Sequence, residues 1–135
     1  MQVDFMILAD AARVAEGKLY LMGGGWTRLF ASQVPFAHTL AIAVGFLVPW
    51  DETNEPHDFE LKMVSEDGQP VIPPMTGQME LGRPPGIKKG AEQRGMIAVS
   101  TTVEFSHLGR YEIRLSTDGQ LVRTTAFDVV QARPK

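Results

Sequence analysis

The densest group of reactive side chains lies between Trp50 and Asp58, in the sequence Trp-Asp-Glu-Thr-Asn-Glu-Pro-His-Asp. Oxygen-rich clusters of this kind can hold a hard cation, and the candidate ligands are Asp51, Glu52, Glu55, His57 and Asp58. However, the spacing is not that of an EF-hand, and no glycine provides the sharp turn inside the loop. The favoured interpretation is therefore a solvated acidic loop, and no metal or other cofactor is predicted.

A second charged segment is basic and runs from Arg83 to Arg94. Its glycines expose backbone N–H groups that could bind an anion, together with the side chains of Arg83, Lys88, Lys89 and Arg94. A nucleotide P-loop is excluded, because the pattern Gly-x-x-x-x-Gly-Lys-Ser/Thr does not occur. Four glycines and two prolines between positions 82 and 95 favour a mobile surface loop over an anion site.

Two tryptophans, Trp26 and Trp50, could form an aromatic platform for a sugar or a peptide. A tryptophan beside glycines or at the end of a strand is more often a core residue, so the platform is the less favoured interpretation. If both tryptophans are buried and resist a fluorescence quencher, a ligand site loses its main feature.

An enzyme is not predicted, and no catalytic residue is assigned. The chain has three histidines but no cysteine, which excludes a thiolate nucleophile, a disulfide framework and a cysteine zinc site. Catalysis would need a histidine near a nucleophile and an orienting carboxylate, and no serine lies in a Gly-x-Ser-x-Gly elbow.

Composition places these groups on an ordinary globular domain, expected to span residues 1–135. A net charge of −3, with scattered basic residues, argues against nucleic acid as a partner. The first residues lack the basic and apolar pattern of an export signal, and the apolar run from Leu40 to Trp50 is too short to cross a bilayer. We therefore expect a cytoplasmic protein that does not enter membranes.

Short segments of alternating apolar and polar residues are the elements that must position these groups. They recur at roughly ten-residue spacing with turn signals between them, which predicts an all-β antiparallel sandwich of eight to ten strands, immunoglobulin-like or jelly-roll-like. Only Asp10 to Gly17 is expected to form a helical turn or two. The other segments are Val3 to Ala9, Lys18 to Met22, Thr27 to Ala31, His38 to Val48, His57 to Ser65, Gln69 to Ile72, Thr76 to Leu81, Met96 to Phe105, Gly109 to Leu115, and a last run that ends at Val130.

The segment from His38 to Val48 carries no aspartate, glutamate, lysine or arginine on either face. It is predicted to be a central strand that is covered on both sides, or a strand that gives one face to a partner. In the first strand, Val3, Phe5, Ile7 and Ala9 are expected to share one face.

The terminal hairpin can form in two registers around Asp118-Gly119. A two-residue loop pairs Leu115 with Val122 and turns Phe127 outward. A three-residue loop with a glycine bulge pairs Leu115 with Leu121 and buries Phe127, at the cost of bringing Arg123 into phase with the core. Because burial of Phe127 is worth roughly 1.5–3 kcal/mol, the bulged form is predicted, with Arg123 at a sheet edge.

Tyr111 lies two residues after Gly109 at the start of a late strand, as in the tyrosine corner of immunoglobulin-like sandwiches. A buried phenol normally finds a hydrogen-bond acceptor. Its hydroxyl is therefore predicted to bond to backbone between Ser106 and Leu108.

Several short motifs are spread along most of the chain. They are Leu8-Ala9-Asp10-Ala11-Ala12, Gly17-Lys18-Leu19-Tyr20, Gly23-Gly24-Gly25-Trp26, Val48-Pro49-Trp50-Asp51-Glu52-Thr53-Asn54, Gly82-Arg83-Pro84-Pro85-Gly86 and Gly109-Arg110-Tyr111. In this combination the chain resembles a family of small uncharacterised bacterial all-β proteins. The resemblance implies a compact β domain and no activity, cofactor or catalytic residue. A weaker similarity to immunoglobulin-like sandwiches rests on Tyr111 and the hairpin, without the cysteines of antibody domains.

Two functions from different classes remain. The first is a non-enzymatic interaction or structural module that self-associates through charge-free strand faces or open sheet edges. The expected state is a homo-oligomer, most simply a dimer, whose acidic and basic loops meet across a symmetric interface; an unidentified protein partner is a further expectation. The alternative is a small-ligand or carbohydrate-binding domain that uses Trp26, Trp50 and the two charged loops.

Overall fold

A computed structural model describes residues 1–133, which form nine strands and one short 3₁₀ turn. The strands are β1 (Gln2–Ala15), β2 (Lys18–Gly24), β3 (Arg28–Ala31), β4 (Phe36–Val48), β5 (His57–Ser65), β6 (Met75–Met79), β7 (Gln93–Phe105), β8 (Gly109–Thr117) and β9 (Gln120–Gln131), and the turn is Trp50–Glu52. Within this part of the chain, no helix has the length and hydrophobicity needed to cross a bilayer.

The strands form two sheets that pack face to face. Sheet A has four strands in the order β2-β1-β4-β7, and sheet B has five in the order β3-β9-β8-β5-β6. The predicted all-β sandwich is confirmed. A wholly antiparallel arrangement is wrong at one position, because β3 pairs with β9 in parallel. The strands before and after β3 in the chain, β2 and β4, both belong to sheet A. β3 is therefore not joined to β9 by a hairpin, which would require the two strands to be antiparallel.

The core fills the space between the inward faces of the two sheets. Sheet A contributes alternate residues of β4 and β7, and sheet B contributes alternate residues of β5, β8 and β9. Aromatic rings close one end of this core: Phe105, Tyr111 and Phe127 have centroids 4.9 to 5.8 Å apart. The largest fully buried side chains are Phe46, Phe105, Phe127, Leu40, Ile42, Leu61, Met63, Ile113 and Leu115.

The helical turn expected at Asp10 to Gly17 is wrong, because β1 continues as a strand to Ala15. In this part β1 pairs with β2, from Ala11 opposite Met22 to Ala15 opposite Lys18. A helix this short cannot offset its nucleation cost, whereas the strand gains a partner for its backbone groups along its length. The hairpin turns at Glu16 and Gly17, which both have positive φ.

Two other details of the strand prediction are also wrong. No strand forms from Gln69 to Ile72, where only a single bridge joins Pro70 to Val64; proline lacks the N–H that a ladder needs. In β1, the pairing register shifts at Asp4, so that Val3 packs against the core while Phe5 points to the other face. A bulge reverses the alternation, and the four expected residues therefore do not share one face.

The predicted three-residue loop of the β8–β9 hairpin is wrong. Asp118 and Gly119 form a two-residue turn, so Thr117 pairs with Gln120, and an irregularity then places Arg123 opposite Leu115. The predicted pairing of Leu115 with Leu121 is wrong, but the predicted burial of Phe127 is confirmed at 1% exposure.

Arg123 occupies the edge position expected for it. Since β3 covers only the last part of β9, from Asp128 to Gln131, the strand is unpaired on that side at Arg123. Arg123 is exposed, and its guanidinium donates to the Val3 carbonyl at 3.2 Å.

The glycines before Trp26 mark a close approach of the backbone to β1. Gly23 and Gly25 have positive φ, and the Gly25 N–H donates to the Leu8 carbonyl at 2.8 Å. A Cβ atom at Gly23 would collide with the Asp10 carboxylate. Glycine is therefore required here by both conformation and space.

Candidate functional site: the outer face of sheet A

We call the face of sheet A that points away from sheet B the outer face. Its centre is apolar, and toward one end it carries the exposed polar residues Thr39, Ser100 and Thr102. On β4 it consists of Ala41, Ala43 and Gly45, which alternate with the core residues Ile42 and Val44. The two alanines have no exposed surface, although neither belongs to the core between the sheets. The central strand is thus buried on both faces, as its charge-free sequence predicts.

Large side chains from the neighbouring strand cover these small residues. Across β1, Phe5 lies opposite Gly45 and Ile7 lies opposite Ala43. The Phe5 ring lies directly over Gly45, where a Cβ atom would collide with the ring. Gly45 is therefore needed for close packing on the outer face.

Neighbouring strands extend this apolar surface in both directions. On β7, Met96 and Ala98 lie opposite Gly45 and Ala43. On the other side, Met22 and Tyr20 of β2 remain 73% and 55% exposed. The four strands are spaced about 4.8 Å apart, and each contributes about ten residues with a rise of about 3.3 Å per residue, so the face measures roughly 19 by 33 Å.

Charged residues of the outer face lie only near its two ends. At one end, Arg94 and Asp4 form an ion pair at 2.6 Å. At the other end, Arg13 of β1 and Glu104 of β7 are exposed, and within residues 1–133 neither makes an ion pair. The centre of the face is therefore free of charge.

Sheet B has a quite different outer face, on which charged residues occupy the central strands. Lys62 pairs with Glu60 at 3.5 Å, and Arg114 pairs with Glu112 at 3.1 Å. This is the usual pattern for a sheet face in contact with water. The two outer faces of the sandwich therefore differ in charge at their centres.

The two charged loops predicted from the sequence come together within one chain. The Arg83 guanidinium lies over the Trp50 ring, with its central carbon 4.0 Å from the ring centroid. Arg83 also donates to the Thr53 hydroxyl at 2.6 Å and to the Trp50 carbonyl at 2.8 Å. It therefore fixes the start of the basic loop on the turn that follows β4.

The other predicted anion-binding residues do not join Arg83 in one group. Arg94 is committed to Asp4, while Lys88 and Lys89 are exposed and make no ion pair within the described chain. The structure thus places the four basic side chains of this segment in three different environments.

Trp26 and Trp50 lie at opposite ends of the molecule. Trp26 packs edge-on against Phe127 at 5.7 Å and His38 at 6.3 Å, near the start of β4. Trp50 follows the end of β4, about ten residues and roughly 33 Å further along the strand. The two rings are therefore too far apart to share a platform.

Two of the candidate metal ligands, Glu52 and His57, are held by other contacts. The Glu52 carboxylate accepts hydrogen bonds from the amino group of Met1 at 2.6 and 2.8 Å. His57 is buried, and its Nε2 donates to the Glu52 carbonyl at 2.9 Å while Nδ1 lies 3.4 Å from the Asp118 carboxylate. Asp51, Glu55 and Asp58 are exposed, and among residues 1–133 no three acidic or histidine side chains are grouped as a metal site would require.

These contacts also shift the acid–base properties of His57. The pKa of His57 is raised above its ordinary value of 6.5, chiefly because Nε2–H donates to the Glu52 carbonyl, with a smaller contribution from Asp118. The pKa of Asp118 is lowered, chiefly because its carboxylate accepts the Asp58 N–H at 3.0 Å. The arrangement joins the turn after β4 to the β8–β9 hairpin.

Comparison with protein-family models supplies the family of this chain. Residues 4–130 match the model described as Family of unknown function (DUF6941). The chain belongs to the DUF6941 family. The match begins within β1 and ends within β9, so the outer face of sheet A lies within the DUF6941 region. A comparison with curated proteins gives no match.

Membership of DUF6941 confirms the prediction of an uncharacterised family. The weaker similarity to immunoglobulin-like sandwiches stays a prediction. What the sequence interpretation missed is the contribution of β1 to the outer face, because the bulge at Asp4 has no turn residue to announce it. The alternation of Phe5, Ile7 and Ala9 does indicate a shared face, and the error lies in including Val3 in that series.

Proposed function

We propose that this protein is a non-enzymatic interaction module that forms a homodimer through the outer face of sheet A. The observation that carries the proposal is the apolar and charge-free centre of this face, which contrasts with the charged outer face of sheet B. Apolar side chains grouped at the centre of an exposed sheet face are typical of interaction sites.

The size of the face is suited to a second copy of the chain. Its plan area is roughly 600 Å², from strand spacing and rise. A stable interface buries about 800 Å² of accessible surface on each partner, and side-chain relief adds to the plan area. Two such faces can therefore form a standard interface by packing sheet on sheet at about 10 Å.

Charge at the end of the face also favours a symmetric pair. Arg13 lies on β1, and Glu104 lies on β7 on the other side of the midline of the sheet. Ala9 of β1 pairs with Ala41 of β4, so Arg13, four residues further along the antiparallel β1, lies level with Ala37. Ala37 pairs with Glu104 of β7, so Arg13 and Glu104 lie near the same end of the face. A twofold axis parallel to the strands brings Arg13 close to Glu104 of the partner subunit.

The loops now have a different role from the one expected of them. Since Arg83 already binds Trp50 and Thr53 of its own chain, it is not free to bind the acidic loop of a second copy. The proposed dimer therefore uses apolar contact for affinity and the end charges for orientation. Exposed ion pairs contribute only about 0–1 kcal/mol each.

The small-ligand alternative has less support. Its two tryptophans lie far apart, Trp26 packs on the core and Trp50 is covered by Arg83. The proposal retains the expectations of a cytoplasmic protein with no nucleic-acid, membrane or cofactor partner and no enzyme activity.

Light scattering behind a sizing column tests the proposal at two ionic strengths. We expect a mass near twice 14.9 kDa at micromolar concentration in both buffers. Added salt should weaken association only modestly, because apolar contact is not screened. A monomer mass in both buffers would contradict the proposal, and dissociation by salt alone would show that charge rather than the apolar face holds the dimer.

A further inference from the structure

We propose a second interaction site at the free edge of β3, which binds an extended acidic segment of a partner protein as an additional strand of sheet B. This site belongs to the other sheet and does not depend on the proposed dimer.

The backbone of β3 presents unpaired groups in the right pattern. The Asp128 N–H donates to the Thr27 carbonyl at 2.9 Å, and the Ala132 N–H donates to the Ala31 carbonyl at 2.8 Å. In a parallel ladder, residues alternate between the two sides of the strand, so Thr27, Leu29 and Ala31 face β9. Arg28 and Phe30 therefore direct their N–H and C=O groups to the free edge, where an incoming strand can pair with them.

On the outer face of sheet B, side chains of the β3–β9 pair form a groove whose wall on the β3 side is aromatic. Phe30 is 65% exposed on the outer side of β3, opposite Val130 of β9. The groove has a volume of about 500 Å³, and its lining includes Phe30, Val130 and Ala132. An edge strand with an exposed aromatic side chain can hold an apolar residue of the incoming strand.

The charge of the groove selects an acidic partner. Arg28 and Arg133 both line it, and in the part of the chain that the structure describes neither forms an ion pair. Asp128 lies opposite Arg28 in the ladder and opposite Arg110 on β8. The groove thus has two guanidinium groups in its lining, and a partner strand with alternating acidic and apolar residues complements both the charge and the apolar wall.

A fluorescein-labelled peptide of alternating glutamate and valine, with free ends blocked, is the probe, and binding is measured by fluorescence anisotropy. We expect saturable binding to the full chain that weakens as salt rises. The same peptide with lysine in place of glutamate should bind at least about tenfold more weakly. Equal binding of both peptides, or no binding of the acidic peptide up to millimolar concentration, would overturn the proposal.

Variants separate the contributions of charge and backbone. Arg28→Gln combined with Arg133→Gln should weaken the acidic peptide roughly tenfold. Phe30→Thr and Phe30→Pro both remove the ring, but only the proline also removes the outward N–H, and an edge strand tolerates proline on that side. Phe30→Pro should therefore bind more weakly than Phe30→Thr, while both retain the wild-type circular dichroism spectrum.

Two controls complete the test. Lys88→Gln combined with Lys89→Gln removes two exposed charges elsewhere and should leave binding unchanged. A single-stranded homopolymeric RNA is tested as a competing polyanion. If the RNA binds as well as the peptide, and Phe30→Pro binds as well as Phe30→Thr, the groove is a general anion site and strand addition is wrong.

Discussion

Tyr111 shows how a single side chain can be placed from its local sequence. Its hydroxyl donates to the His107 carbonyl at 2.6 Å, within the range predicted, and the residue is 4% exposed. The partner is four residues away, so the Gly-x-Tyr spacing contains the necessary information. Burial raises the pKa of the Tyr111 phenol.

Removing this hydroxyl should measurably lower stability. Tyr111→Phe leaves the His107 carbonyl without its partner and should cost about 0.5–1.5 kcal/mol of unfolding free energy, measured by urea denaturation. Equal midpoints for Tyr111→Phe and wild type would show that the hydrogen bond contributes nothing.

Arg83 could not be placed in the same way. Its side-chain partners Thr53 and Trp50 lie about thirty residues earlier in the chain, in a different loop. The sequence indicates a basic loop and an acidic loop, but only the pairing of strands determines that the two loops meet. Long-range contacts of single side chains are therefore the part of the site that local patterns did not predict.

His57 predicts a specific dependence of stability on pH. Because the pKa of His57 is raised in the folded chain, its protonated form contributes stability that is complete below the ordinary value of 6.5. That contribution is lost as pH rises through the raised folded pKa. Asp118 acts in the opposite range: its pKa is lowered, so its contribution is present above 3.8 and is lost as pH falls through the folded pKa.

Urea midpoints between about pH 5.5 and 8.5 measure the His57 contribution. The wild type should lose stability across this interval more steeply than His57→Gln, which cannot titrate. His107→Gln is the control for an exposed histidine and should keep the wild-type slope. If His57→Gln and wild type have parallel profiles, the contacts with Glu52 and Asp118 do not favour the charged imidazole.

At the scale of elements, alternation of apolar residues predicted most strands, but bulges changed their register. His57 to Ser65 was predicted with the observed bounds. In the β8–β9 hairpin, Asp-Gly correctly indicates a two-residue turn, while burial of Phe127 requires one extra residue in β9. A bulge at Val122 supplies this extra residue, so that the two-residue turn and the burial of Phe127 occur together. Neither of the two registers predicted from the sequence contains a bulge at this position.

The register of this hairpin can be tested by truncating single side chains. Phe127→Ala should cost about 3–5 kcal/mol, because Phe127 is 1% exposed and contacts Trp26, Phe105 and Tyr111. Val122→Ala is the control at the irregularity, where the side chain is 42% exposed, and should cost less than about 1 kcal/mol. Equal losses in chemical denaturation would contradict the observed register.

At the scale of the whole molecule, the two outer faces of the sandwich differ in kind. The sequence predicted that β4 would be apolar on both sides, but not which neighbours would extend its second face. That extension depends on Phe5 and Ile7 of β1 and on Met96 and Ala98 of β7, which come from opposite ends of the chain. The pairing order of the sheet brings them together, and no local pattern contains that order.

Sedimentation velocity of matched charge variants tests the proposed dimer most directly. Ala98→Glu places a carboxylate near the centre of the outer face of sheet A, on an edge strand where the single chain can tolerate it. Thr124→Glu adds the same charge to the exposed outer face of sheet B. We expect wild type and Thr124→Glu to sediment as dimers at tens of micromolar, and Ala98→Glu to sediment as a folded monomer. A monomeric wild type, or a dimer that Ala98→Glu leaves intact, would contradict the assignment of the outer face as the interface.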